Sequence, residues 1–390
     1  MIEVLPEGTR YELPGQASKR ARVVDTLKTL YSSWGYLQVD VPVLERYHPH
    51  HPRLAQSFKL SDRDSGVLTL RSDFTPMLAN LVRTNYPRVV TGEDPALRFQ
   101  YAGKVWHAIN PDMARTREFT QVGLELIGVS NARADAELIH LARESVRAVD
   151  LVPRVEIGNP GFVRALFQLA AVPKTLQEGL ADAIDRKDQS TLVSLLGGLD
   201  LAPDLFSAFQ ATLDLYGDVG VLDAARRVAP WEETCRELDR LEGVLSEFED
   251  NSDLLLDLGM ARRLSYYTGV TFRAYTFDFG QPLLGGGRYD GALLPFAAGF
   301  AIGLERLMSA LPEAGEPETP LVMSLDDVSA RTLRAAGFSV MRALTTDVEE
   351  ARRQAEAYGI AYLLAEQLEP LVSDPPQQEV LERLLEGDRG

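Results

Sequence analysis

The stretch Phe119-Thr-Gln-Val-Gly-Leu-Glu-Leu-Ile-Gly-Val129 decides how this chain is read. In an extended strand, residues two apart share a face. Gln121, Gly123 and Glu125 therefore stand on one side, with Val122, Leu124 and Leu126 on the other. One side packs a core; the other presents an amide and a carboxylate on either side of a residue without a side chain. For a single strand a wetted outer face is the plain reading, because antiparallel sheets often leave one side to water. A glycine between two polar groups also leaves room for a molecule to lie on the sheet.

Working outward, residues 67–73 read as a strand that sets Arg71 and Asp73 together, opposite Leu68 and Leu70. Carboxylates, an amide and an arginine suit a small zwitterion better than open water. An ammonium group matches Asp73 and Thr75, a ring nitrogen matches Glu125, and a carboxylate matches an arginine. Downstream, Ala261-Arg-Arg-Leu-Ser-Tyr-Tyr-Thr-Gly269 places Arg262, Tyr266 and Tyr267 beside a turn. The two tyrosines are either core residues or walls for a ring-shaped ligand. Gly285-Gly-Gly-Arg-Tyr-Asp-Gly291 reads as a glycine-dense loop holding Arg288, and residues 298–307 read as a helix carrying Arg306.

The remaining pattern gives the architecture. Apolar spacing predicts helices over 18–34 and 135–149. Strand-like runs cover 37–43, 67–73, 96–107, 119–129, 254–260 and 270–279, and between 162 and 248 the pattern is helical. Strands before and after a helical block predict an α+β fold: an antiparallel sheet flanked by helices and interrupted by a helical insertion. The expected organisation is a core over 1–311 with the insertion at about 162–250, then a linker over 312–320. A small C-terminal α/β domain follows over 321–390, ordered strand–helix–strand–helix–strand. The linker assignment rests on Pro312-Glu-Ala-Gly-Glu-Pro-Glu-Thr-Pro320, which is rich in proline and acidic residues.

Composition narrows the function classes. The chain is 45% hydrophobic and 25% charged, as expected of a globular protein. Its net charge is −17, and the last lysine is Lys187, a poor endowment for holding a polyanion. No apolar run reaches the roughly 18 residues a membrane helix needs. The N-terminus has no basic segment followed by an apolar one, and Cys235 has no second cysteine to pair with, so a reducing cytoplasm is expected. His48-Pro-His-His51 lacks a cysteine or carboxylate at ligand spacing and reads as a loop, so no metal site is expected.

Taken together these stretches resemble the class II aminoacyl-tRNA synthetases, specifically the histidyl family, over nearly all of the first 311 residues. Arg71-Ser-Asp-Phe-Thr75 is similar to the family's amino-group-binding segment, with Asp73 where the family has Glu. Arg117 to Gly128 is similar to the end of motif 2, Arg262 to Gly269 to the histidine-specific segment, Gly299 to Leu307 to motif 3. Pro42 fits the motif 1 proline of the dimer interface. The resemblance implies that histidine's amino group meets Asp73, Thr75 and Gln121. Its imidazole would meet Glu125 and Tyr267, with Tyr266 alongside and Arg262 near its carboxylate.

The adenylating half departs from the family. Where motif 2 reads Phe-Arg-x-Glu, this chain has Trp106-His-Ala-Ile109. His107 offers neither a permanent charge nor a bidentate fork. Ile109 replaces the glutamate on the adenine side, and Ser265 stands where the family has Asp. Arg288 and Arg306 are what remains of a degenerate ATP site. The pattern is similar to the synthetase paralogues that regulate short-form ATP phosphoribosyltransferase, the first enzyme of histidine biosynthesis. That similarity implies a non-catalytic chain without cofactor, binding L-histidine for feedback and self-associating within a hetero-oligomer with a short-form catalytic subunit. The alternatives are a divergent histidyl-tRNA synthetase and another amino-acid- or tRNA-binding paralogue. Acidic residues outnumber basic ones beyond residue 321, so tRNA is not the expected partner.

Overall fold

Glu118–Ile127 forms a central strand of a nine-stranded sheet. The computed structural model describes residues 4–49, 54–64, 66–111, 116–261, 266–313 and 319–387. From edge to edge the strands are Leu37–Gln38, Leu97–Trp106, Glu118–Ile127, Ala297–Gly303, Phe279–Arg288, Thr271–Thr276, Pro153–Gly158, Leu254–Asp257 and Tyr216–Gly217. The six strands from Leu97–Trp106 to Pro153–Gly158 pair antiparallel. Parallel pairings lie toward the edges, where Leu37–Gln38 and Leu254–Asp257 join.

One face of the sheet is covered. Val122, Leu124 and Leu126 join Phe272, Phe300 and Ile302 in the main core. Helix Ala132–Arg147 lies on that side, contributing Leu138, Ile139, Ala142 and Val146 at helical spacing. Asn131 starts it by accepting the Ala134 N–H at 2.9 Å, a cap worth about 1 kcal/mol. Helix Pro14–Ser33 adds Val23, Leu27 and Tyr31, whose hydroxyl lies 2.9 Å from that of Ser145.

On the other face two smaller clusters, around Phe99 and around Tyr101, flank a patch of small residues. Register sets Glu125 beside Phe99 and Gly299, and Gly123 beside Tyr101 and Ala301. Gln121 stands beside Gly103 and Gly303, while Gly285 pairs with Ala301.

Several elements differ from the sequence expectation. Residues 67–73 are not one strand of this sheet: Val67–Leu70 is the middle of a separate three-stranded sheet, and the strand ends there. Pro76 sits in the first turn of helix Thr75–Asn85, where its fixed φ is favourable, so the chain must turn before it. Arg71 therefore leaves the zwitterion site. It donates to the Lys104 carbonyl at 3.0 Å, and its guanidinium lies 3.9 Å from the Phe74 ring centre. The glycine-dense loop is the end of strand Phe279–Arg288. The helix expected over 298–307 is strand Ala297–Gly303 followed by helix Leu304–Ala310. The glycines and alanines dilute the strand preference of Phe300 and Ile302, and pairing on both sides imposes the strand.

The insertion between Pro153–Gly158 and Leu254–Asp257 is helical apart from Tyr216–Gly217, running from Pro160–Leu169 to Glu232–Leu245. No helix among the described residues is long and apolar enough to cross a membrane.

The chain divides into two compact units, Met1–Glu12 with Lys19–Glu313, and Leu13–Ser18 with Ala314–Gly390. The grouping of Leu13–Ser18 with the second unit differs from the expected core over 1–311. Residues 314–318 of the proline-rich stretch lie outside the described residues. In the second unit Val340–Arg342, Val322–Ser324 and Tyr362–Leu364 are parallel, and Leu368–Pro370 adds antiparallel. Val322 and Leu364 face one small core, Met323 and Leu363 another. The fourth strand and the last helix, Gln378–Gly387, extend the expected five-element order.

Candidate functional site

The small residues of that face floor a chamber of about 630 Å³. Gly285, Gly299 and Ala301 pave it; Asp73, Thr75, Gln121, Glu125, Tyr101, Tyr266, Tyr267 and Tyr289 wall it. No lysine, arginine or histidine stands among its described lining residues.

Glu125 is the innermost polar group, 2% exposed. Its Oε1 accepts from the Thr75 hydroxyl at 2.8 Å, and its Oε2 accepts from the Tyr289 hydroxyl. Gly299 is required beside it, because a Cβ there would overlap the carboxylate and the Leu124 carbonyl. Gly123 likewise leaves room for the Tyr101 ring, which stacks on Phe74 with ring centres 4.2 Å apart. Asp73 sits just before helix Thr75–Asn85 and accepts from the Thr75 N–H at 3.3 Å. Gln121 Nε2 reaches the Tyr101 hydroxyl at 3.4 Å. Tyr266 stacks on Tyr289 at 5.3 Å and meets Tyr267 edge-on at 5.1 Å.

A second chamber, also about 630 Å³, adjoins the first across Gln121, Tyr267, Gly285 and Ala301. His107, Ile109, Arg273 and Arg306 line it. His107 is held by the Ser72 carbonyl at 2.9 Å and lies edge-on to Phe119. Arg306 donates to the Pro282 carbonyl at 3.0 Å. Glu305 accepts the Thr120 N–H at 2.9 Å on both oxygens.

Residues 8–307 match the histidyl-tRNA synthetase family. An ATP phosphoribosyltransferase regulatory subunit from Thermus thermophilus is 44% identical over 324 residues, spanning 83% of this chain and 88% of that protein. One from Deinococcus radiodurans is 42% identical, spanning 91% of this chain and 87% of its own. This chain belongs to that regulatory-subunit family. A crystal structure from Bacillus halodurans, described as an ATP phosphoribosyltransferase regulatory subunit/histidyl-tRNA synthetase, superposes with a TM-score of 0.80 at 26% identity. It covers 94% of this chain and 98% of that one. A histidyl-tRNA synthetase from Nostoc shares the fold, with a TM-score of 0.76 at 20% identity.

Within this regulatory-subunit fold the residues expected from the sequence converge unevenly. Asp73, Thr75, Gln121, Glu125, Tyr266 and Tyr267 share the first chamber, and His107, Ile109 and Arg306 share the second. Arg262 and Ser265 lie outside the described residues, as do His50 and His51. Arg288 is a correction: it is fully buried on the covered face. There it pairs with Asp135 at 2.7 Å and Asp290 at 3.0 Å, away from both chambers. Alternation from Gly285 explains this, since three residues on a strand reverse the face. Tyr101, Tyr289 and Arg273 were missed. Tyr101 was findable once its strand was aligned with Gly123, whereas Tyr289 looked like a loop residue.

Burial pushes the Glu125 carboxyl up to about 8, the Asp73 charge adds to this, and the Tyr289 and Thr75 hydrogen bonds oppose it. Before a ligand binds, at about pH 7, the group is therefore largely protonated. An incoming ammonium or ring N–H favours the ionised form, so binding should release up to about one proton per site. Calorimetry in two buffers of different ionisation enthalpy reads this release, and it should fade above pH 8. The sign for stability is the reverse of an ordinary carboxylate. Between 4.5 and about 8 the folded chain holds the extra proton, so this group's contribution is lost as pH rises through that window.

Proposed function

We propose that this chain is a non-catalytic, histidine-sensing subunit of ATP phosphoribosyltransferase. The observation that carries the reading is the first chamber: two carboxylates, four tyrosines and no described cation, over a flat floor. Such a chamber favours an ammonium group, which every amino acid carries, together with an aromatic N–H donor, which only histidine and tryptophan add to it. Its relatives are named as regulatory subunits, and L-histidine is the regulatory ligand we assign.

Adenylation is not part of this reading. Activation of histidine by ATP needs preorganised positive charge at the α-phosphate, and losing such charge costs several kcal/mol of transition-state stabilisation. His107 is tied to a backbone carbonyl, and Ile109 offers no hydrogen bond. The chain then acts with a separate short-form catalytic subunit, self-associates as a dimer within that assembly, and works in the cytoplasm without a cofactor. Histidine changes the partner's activity only by binding active and inhibited assemblies with different affinity.

Reconstitution with the catalytic subunit tests this. Expected are activation by the chain, inhibition by histidine, and no histidine-dependent ATP–pyrophosphate exchange. Clear exchange activity would instead establish a divergent synthetase, which Arg306 in the second chamber favours.

A further inference from the structure

Tyr267 is held from outside the sheet. Its carbonyl accepts from Arg164 Nη2 at 2.7 Å, and Arg164 comes from Pro160–Leu169, the first inserted helix. Lys187, also from the insertion, donates to Asp257 at 2.7 Å, and the same carboxylate oxygen accepts the Gly259 N–H at 2.9 Å. That turn leads toward the tyrosine segment. Beyond it, the Arg240 guanidinium packs on Gly269, where a Cβ would lie 3.1 Å from Cζ. Of these three cations of the insertion, only Arg164 holds the tyrosine segment by a hydrogen bond to its backbone; Arg240 packs against Gly269 and Lys187 ties down the Asp257 turn.

The grip is itself braced. Glu237 and Arg240 are three apart on helix Glu232–Leu245 and so share a face. Glu237 favours the charge on Arg164 against the burial that opposes it. Glu237 also accepts from Asn159 Nδ2 at 2.8 Å, and Asn159 caps the helix that carries Arg164. Gly161 leaves room for that carboxylate, since a Cβ there would overlap it.

We propose that Arg164 is a positioning residue for the ligand chamber: it fixes the tyrosine pair through the Tyr267 carbonyl, and so ties ligand affinity to the packing of the inserted helices. The proposal rests on reading the first chamber as the histidine site. Without the guanidinium, the Tyr267 peptide must be ordered when ligand binds, which weakens affinity.

The test uses the full chain with Arg164→Met and Arg164→Lys. It measures L-histidine affinity by calorimetry, hydrogen exchange over residues 266–270 without ligand, and thermal melting. Expected for Arg164→Met are roughly tenfold weaker binding and faster exchange confined to that segment, with melting close to the parent. Arg164→Lys, which keeps a charged donor, should recover part of the affinity. Unchanged affinity in Arg164→Met overturns the proposal, and so does a loss matched by faster exchange throughout the chain. If Arg164→Met does not fold, the lysine variant is judged by the same criteria. Should the parent itself not bind histidine, the functional reading fails first. The positioning role then stands on local exchange at 266–270, and absence of that acceleration overturns it.

Discussion

Glu125→Gln is expected to weaken histidine binding by roughly ten- to a hundredfold and to raise the histidine concentration needed for feedback in proportion. The replacement is nearly isosteric, so the chamber keeps its shape. What changes is that one carboxylate oxygen becomes an NH₂, which meets either the Thr75 hydroxyl or the Tyr289 hydroxyl. In the ionised, ligand-bound form both hydroxyls donate to Glu125, so in the variant one of them loses its acceptor in a buried place, and a ligand N–H loses an ionised one. Proton release on binding should disappear in the same variant. Because the buried carboxyl no longer needs a proton, melting relative to the parent should improve from pH 5 to about pH 8. Assembly with the catalytic subunit should be unchanged. Equal calorimetric affinities in the two proteins would remove Glu125 from the ligand site.

Arg288→Met should lower the unfolding free energy by about 3–5 kcal/mol, measured from urea midpoints with the slope held constant. The guanidinium has no exposed surface; it meets Asp135 and Asp290 and donates to the Val129 carbonyl at 2.9 Å. Deleting it leaves Asp135, 3% exposed, as a buried carboxylate without its counter-charge. Adding Asp135→Leu removes that orphan, and the double variant should recover most of the loss, since apolar replacements of buried pairs are often neutral. A cost below about 1 kcal/mol for the single change would show that Asp135 takes up a proton at little expense.

These two residues also show how far the sequence was legible. The face on which Glu125 stands follows from a two-residue period alone, because β-strand parity is local geometry, whereas its contact with an imidazole is what the family resemblance implies. Arg288 obeys the same parity, but the glycines before it carry no apolar alternation, so the strand was hidden and the arginine was placed with the ligand. The stretch from Ala298 to Gly303 failed for a related reason: its small residues are there for the chamber, not for strand propensity. Asp73 and Thr75 are matched to an ammonium by residue type and again by family likeness, and both line the first chamber, although the strand expected to carry Asp73 ends at Leu70. Tyr101 and Arg164 need more than local pattern. The first needs the register with Gly123, and the second needs the packing of a helix more than a hundred residues before its contact.

Gly285, Gly299 and Ala301 have almost no rotamers to exchange. A binding surface built from side chains can repack around a bulkier guest; one built from hydrogen-bonded backbone cannot move without breaking its ladders. On the proposed function, the clearance above the sheet is therefore a rigid gauge of ligand thickness, read by the main chain itself. Discrimination by charge resides in walls that substitution can retune one residue at a time. Discrimination by bulk resides in the register of three strands, and can be relaxed only by altering the scaffold that every other wall stands on.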